Sequence, residues 1–118
     1  MQNYNVSKTA DLPLSIKRGD TFYLNFVVKM NDVAIDLSAY TFAKMQARES
    51  EYSNAVLTYS SSGGTIDISH LDAGQVIITG DTDSVEAGQY YYDIQLSNDG
   101  FIETIVTGTL VVAYDYTR

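Results

Sequence analysis

The chain has 118 residues, the size of one domain, and its 45% hydrophobic and 19% charged residues describe a protein that folds around a core, neither disordered nor collagen-like. It contains no cysteine, which excludes a disulfide framework, a zinc-thiolate site and a cysteine nucleophile. Seven Lys and Arg stand against fifteen Asp and Glu, and the resulting net charge of −8 repels phosphate backbones, so nucleic acid is not an expected partner.

The charge is uneven. Residues 1–30 hold Lys8, Lys17, Arg18 and Lys29 against Asp11 and Asp20, so the leading segment is basic and the rest strongly acidic. No apolar run approaches the roughly 18 residues of a membrane span, and the polar start at Met1 to Thr9 lacks a signal-peptide core, so neither membrane insertion nor Sec export is expected. Residues 1–13 offer few apolar side chains and are expected to form an extended arm or an edge strand, with residues 14–118 as the folded domain. An arm of this kind fits best as a contact with another subunit, Tyr4 and Val6 in a shallow apolar groove and Lys8 near an acidic surface. Pairing as an edge strand on its own sheet is the alternative.

Leu14 and Ile16 predict a short strand, and Lys17-Arg18-Gly19-Asp20 a turn. Thr21 to Met30 alternates strictly, with Phe22, Leu24, Phe26, Val28 and Met30 on the predicted core face and Tyr23 facing out. Asn31-Asp32 suits a tight hairpin because both residues tolerate positive φ, with Val33 to Asp36 returning. Asp36 to Tyr40 reads as a capped turn. Thr41 to Glu49 is a strand with two possible registers, one burying Phe42 and the other Ala43, Met45 and Ala47. Val56 to Tyr59 and Thr65 to Ile68 are short strands flanking the loop Ser60 to Gly64, and Asp72-Ala73-Gly74 marks a turn before the strand Gln75 to Thr79. Gln89 to Ser97 places Tyr90, Tyr92, Ile94 and Leu96 on one side and Tyr91, Asp93 and Gln95 on the other. Asn98-Asp99-Gly100 closes the clearest hairpin. The last run, Phe101 to Tyr116, is long for one strand, and Gly108 is its expected bulge or crossing point. With no helical periodicity over ten residues, the fold class is all-β, a sandwich of seven to nine antiparallel strands.

Two resemblances sharpen this. Glu86-Ala87-Gly88-Gln89-Tyr90-Tyr91-Tyr92 resembles the corner that leads into strand F of the immunoglobulin fold, which implies that Tyr90 is the corner tyrosine and that Tyr92 stands where the second cysteine would be. With no cysteine pair and no Trp, the implied domain is immunoglobulin-like and not of the antibody type. The second resemblance rests on five pieces in order: Ile16 to Phe22, Ile35 to Tyr40, Ala47-Arg48, Gly88 to Leu96, and Gly108 to Val112 with Thr117-Arg118 at the end. Together they are similar to small structural proteins of tailed bacteriophages, among them the immunoglobulin-like N-terminal domain of the baseplate upper protein family. That resemblance implies a virion component, assembled in the host cytoplasm in multiple copies in the tail or baseplate region. It would contact other virion proteins and copies of itself; capsid decoration or a head-tail position is the alternative.

Little in the chain speaks for catalysis. His70 is the single histidine, and Ser69 and Asp72 beside it are neighbours along one segment, which seldom meet in nucleophile–base geometry. A surface histidine in a turn is the preferred reading. Asp81, Asp83 and Glu86 match no calcium-loop spacing and are read as a solvated acidic loop. A two-carboxylate glycosidase site needs a deep cleft for which a sandwich of this size has little room. Arg18-Gly19-Asp20 spells an integrin-binding tripeptide, yet a tight turn explains it better. No enzyme activity, cofactor or metal is expected. Ten Tyr and no Trp point to contact surfaces, with Tyr4, Val6, Lys8, Tyr23, Tyr91 and Tyr116 as candidate interface residues and a glycan as the less favoured occupant.

Overall fold

A computed structural model describes residues 2–7, 10–50 and 52–114, with the backbone path alone for residues 2–7 and Ala10. The described elements are β1 (Gln2–Ser7), β2 (Ala10–Asp11), β3 (Leu14–Lys17), β4 (Phe22–Met30), β5 (Val33–Ala34), β6 (Phe42–Arg48), β7 (Leu57–Ser60), β8 (Ile66–Asp67), a 3-10 turn at Leu71–Ala73, β9 (Gln75–Gly80), β10 (Gly88–Asn98) and β11 (Phe101–Ala113). They form two sheets. The first has the order β1-β4-β9-β8 with β5 also on β4, and the second β2-β11-β10-β6-β7 with β3 also on β11. The all-β, two-sheet expectation therefore holds, but a strictly antiparallel sandwich does not. Eleven strand segments are described, and β1 runs parallel to β4 while β2 and β3 run parallel to β11. Parallel neighbours need a long connection between them. The chain provides one by leaving the first sheet after β1, running along the second as β2 and β3, and returning as β4. The leading segment thus lies on the chain's own sheet, its β1 backbone in register with Leu24 to Lys29.

Alternation decides what fills the space between the sheets. Phe22, Leu24, Phe26 and Val28 of β4, Val76 and Ile78 of β9, and Tyr90, Tyr92, Ile94 and Leu96 of β10 are all buried. In β6 the ambiguity resolves to Ala43, Met45 and Ala47, each fully buried, while Phe42 is only half-buried. Met30 departs from the predicted face: at the last position of β4, next to the Asn31-Asp32 turn, it is 56% exposed.

The irregularity in β11 is not at Gly108. The register against β10 shifts between Ile94 and Gln95, which pair with Val106 and Thr104, so Ile105 is the extra residue. Ile105 and Val106 are consecutive and both fully buried, and a pair of adjacent inward residues is what a bulge produces. Gly108 has a different purpose. A Cβ there would collide with the Leu12 carbonyl and press on the Tyr92 ring at 3.1 Å. Its bare backbone lets the chain around Leu12 close on β11, where the Leu12 N–H donates to the Thr107 carbonyl at 2.8 Å and the Tyr92 hydroxyl to the Leu12 carbonyl.

The turns follow their residue types. Asn31 and Asp32 have φ of 52° and 64°, and Asp99 and Gly100 have 44° and 86°, the left-handed conformation that two-residue hairpins require. In the turn after β5 the Ser38 N–H donates to Asp36 Oδ1 at 2.9 Å, and the Tyr40 N–H to the Leu37 carbonyl at 3.1 Å. Thr41 N–H bonds to the Ser97 carbonyl and Asn98 Nδ2 to the Ala39 carbonyl, so the β4–β5 and β10–β11 hairpins emerge at the same end of the sandwich. Among the described residues no helix is long and apolar enough to cross a membrane.

Candidate functional site

At the opposite end, the loop between β9 and β10 is bound to the turn before β4. The Tyr90 hydroxyl donates to the Glu86 carbonyl four residues upstream at 2.6 Å, the geometry that the corner resemblance implied. Thr82, which the sequence reading did not single out, is fully buried, and its Oγ1 accepts from the Gly19 N–H and donates to the Asp20 carbonyl, both at 3.0 Å. Gly19 has φ of 90°, and the Arg18 N–H is tied to the Ala113 carbonyl at 2.9 Å. The Arg18-Gly19-Asp20 backbone is thereby fixed as a turn, and Arg18 itself is half-buried.

The residues weighed for chemistry have structural partners. Ser69 Oγ donates to Asp67 Oδ1 at 2.6 Å and not to His70, which is exposed at the start of the 3-10 turn. The Ser69 hydroxyl, then its backbone N–H, hold the Asp67 carboxyl below the usual range. In the acidic loop the backbone carbonyls of Asp81, Asp83 and Glu86 accept from Tyr59, Arg18 and Tyr90, and Asp81 Oδ1 accepts from the Asp83 N–H at 3.4 Å. Among the described residues no group of three His, Asp or Glu is placed to hold a metal ion.

The candidate contact residues are dispersed. Tyr4 and Val6 stand at β1 register positions beside Phe26 and Val28. Lys8 and Tyr116 lie outside the described residues. Tyr23 is half-buried on the outer face of the first sheet, beside a hollow of about 340 Å³ lined also by Leu14, Ile16 and Lys17. Tyr91 is 55% exposed on the outer face of the second sheet. The two tyrosines therefore belong to opposite faces of the sandwich.

Tyr91 has the more developed surroundings. It stands beside a groove of about 420 Å³ lined by Gln46, Arg48, Ser50, Asp93 and Thr107 among others. The β6–β10 register sets Tyr91 opposite Arg48 and Asp93 opposite Gln46, while the β10–β11 register sets Asp93 opposite Thr107. Arg48 is held at both ends of its fork, Nη2 on Gln46 Oε1 at 2.9 Å and Nη1 on the Ser53 carbonyl at 2.8 Å. Burial pushes the Asp93 carboxyl above the ordinary aspartate value, and the charges of Arg48 and Lys44 offset only part of that rise.

Exposed apolar side chains at the two hairpin tips form a second candidate surface. Met30 and Val33 flank one tip, and Phe101 and Ile102, 64% and 63% exposed, follow the other. The register explains part of this: beyond the bulge Ile102 pairs with Ser97, on the outward side of β10 that also carries Tyr91, Asp93 and Gln95, while Phe101 pairs with Asn98 directly at the turn.

No family model matches the chain, and no curated protein matches it in sequence. Solved structures do. The N-terminal domain of ORF48 of phage TP901-1 superposes with a TM-score of 0.52 at 10% identity, covering 95% of this chain and 98% of that domain. The fold is shared with a phage domain end to end. The endo-β-1,4-mannanase of Thermotoga petrophila matches with a TM-score of 0.53 at 13% identity over 86% of this chain, which spans only 18% of the mannanase chain.

Proposed function

We propose that this chain is a virion structural protein of a tailed bacteriophage, an immunoglobulin-like module present in multiple copies in the tail or baseplate region and acting through contacts with other virion proteins. The observation that carries this reading is the end-to-end likeness to the phage domain: the two units have nearly the same extent, whereas the mannanase match is a small part of a much larger chain. The strand orders support the immunoglobulin-like description, since β4-β9-β8 corresponds to strands B-E-D and β6-β10-β11 to C-F-G, with the Tyr90 corner in its place before strand F. The exposed hairpin tips, Tyr23 and the β1 strand with Tyr4 and Val6 are the surfaces we assign to neighbouring subunits, and apolar side chains gathered at one end of a small domain suit that assignment. No enzymatic role is assigned.

The test is genetic. A stop codon early in the coding sequence should give a lysate with few infectious particles, restored when the intact chain is supplied in trans. Normal numbers of infectious particles lacking the chain would overturn the reading.

A further inference from the structure

We propose that the groove beside Tyr91 is a binding site for a neutral sugar residue, with Tyr91 as the stacking surface and Asp93 and Gln46 as the pair that holds two adjacent hydroxyls. The chemistry is set by what these groups already do. Gln46 Oε1 is occupied by Arg48, which leaves the Gln46 amide N–H₂ as a donor, and it makes no hydrogen bond to any described residue. The Asp93 carboxylate opposite it on the next strand is half-buried and likewise accepts no hydrogen bond from any described residue. A fixed donor and a fixed acceptor on adjacent strands match a vicinal diol, in which one hydroxyl accepts and the other donates. Thr107, on the far side of Asp93, offers a further hydroxyl. Tyr91 supplies an exposed ring at the groove's edge, against which the C–H face of a sugar packs. Arg48, held by Gln46 Oε1 and the Ser53 carbonyl, adds a preorganised wall.

Charge selects among occupants. Asp93 lies between Arg48 and Lys44, so the groove does not share the acidity of the whole chain, and a cationic segment of a protein partner would meet those two cations. An anionic ligand would meet the Asp93 carboxylate. A neutral polyhydroxyl ligand avoids both conflicts. This inference is independent of the virion reading, because it concerns the isolated chain.

The test is a titration of the full ¹⁵N-labelled chain with the methyl glycosides of glucose, galactose, mannose and N-acetylglucosamine. At least one should give saturable shifts at the amides of Gln46, Arg48, Tyr91, Asp93 and Thr107, with a dissociation constant on the order of millimolar. Tyr91→Ala and Asp93→Asn should each weaken binding about tenfold, while Tyr91→Phe, which keeps the ring, and Tyr23→Ala, on the other face, should leave it unchanged. No saturable shift with any of the four sugars would overturn the proposal, as would shifts indifferent to Tyr91→Ala. So would the same residues shifting with protein concentration alone, which would mark the groove as a contact between copies.

Discussion

Thr82 holds two chain segments more than sixty positions apart with one hydroxyl, accepting from Gly19 and donating to Asp20. Thr82→Val keeps the shape but strands a buried N–H, and urea unfolding should show a loss of about 1–3 kcal/mol, with Thr82→Ser losing much less. Tyr59 is buried against Phe22, with ring centroids 5.6 Å apart, and its hydroxyl donates to the Asp81 carbonyl at 2.7 Å. Burial first, then the Asp81 charge, pushes its ionisation up to about 12. An unfolded tyrosine ionises near pH 10. The folded state therefore holds this proton more tightly, and the resulting stability is complete below about pH 10 and lost as pH rises through about 12. An alkaline absorbance titration should show a late phenol step that disappears in Tyr59→Phe. Asp93 and Asp67 act in opposite senses. The raised Asp93 carboxyl favours the folded state when protonated, so its contribution fades as pH rises from the ordinary aspartate value. The lowered Asp67 carboxyl contributes above that value and is lost as pH falls. Asp93→Asn should consequently gain stability relative to the parent chain at neutral pH and lose that advantage in acid, as thermal melts across the pH range would show.

Strands whose signal is local were legible in the sequence, and pairings that depend on distant segments were not. Alternation in β4 and β10 identified Phe22 to Val28 and Tyr90 to Leu96 as core positions, and Asn31-Asp32 and Asp99-Gly100 announced their hairpins through tolerance of positive φ. Parallel and antiparallel strands alternate alike, however, so nothing in Gln2–Ser7 or Leu14–Lys17 distinguished the parallel pairings that the structure shows. The β11 bulge lies at Ile105-Val106 and not at the expected Gly108. Its collision partner is Leu12, nearly a hundred residues away, so the reason for that glycine could emerge only with the fold. Gly108→Ala should push the Leu12 segment off β11, and hydrogen exchange should show faster exchange at Leu12 and its β3 neighbours, with the β6–β10 amides little changed. The two faces of β10 and its partner sheet differ in the same measurable way. Phe26→Ala empties a fully buried site and should cost about 3–5 kcal/mol, whereas Tyr91→Ala removes an exposed ring and should leave the melting temperature almost unchanged.

At the scale of the whole molecule, a domain with a net charge of −8 and no disulfide relies on one core between two sheets and leaves its ends and outer faces free for contact. Tyr91 was recognisable in the sequence as an outward residue, but the groove beside it was not, because Gln46 and Asp93 are brought together only by the β6–β10 register. The exposed pair after the second hairpin escaped for a related reason: only the shifted β10–β11 register sets Ile102 opposite Ser97, on the outward side. These surfaces acquire meaning if the chain is a repeated part of a particle. Immunogold electron microscopy of purified particles, with antibody raised against this chain, tests that most directly. Several gold grains at the tail end of each particle are expected, and particles free of label in a lysate whose soluble fraction contains abundant chain would contradict the virion assignment.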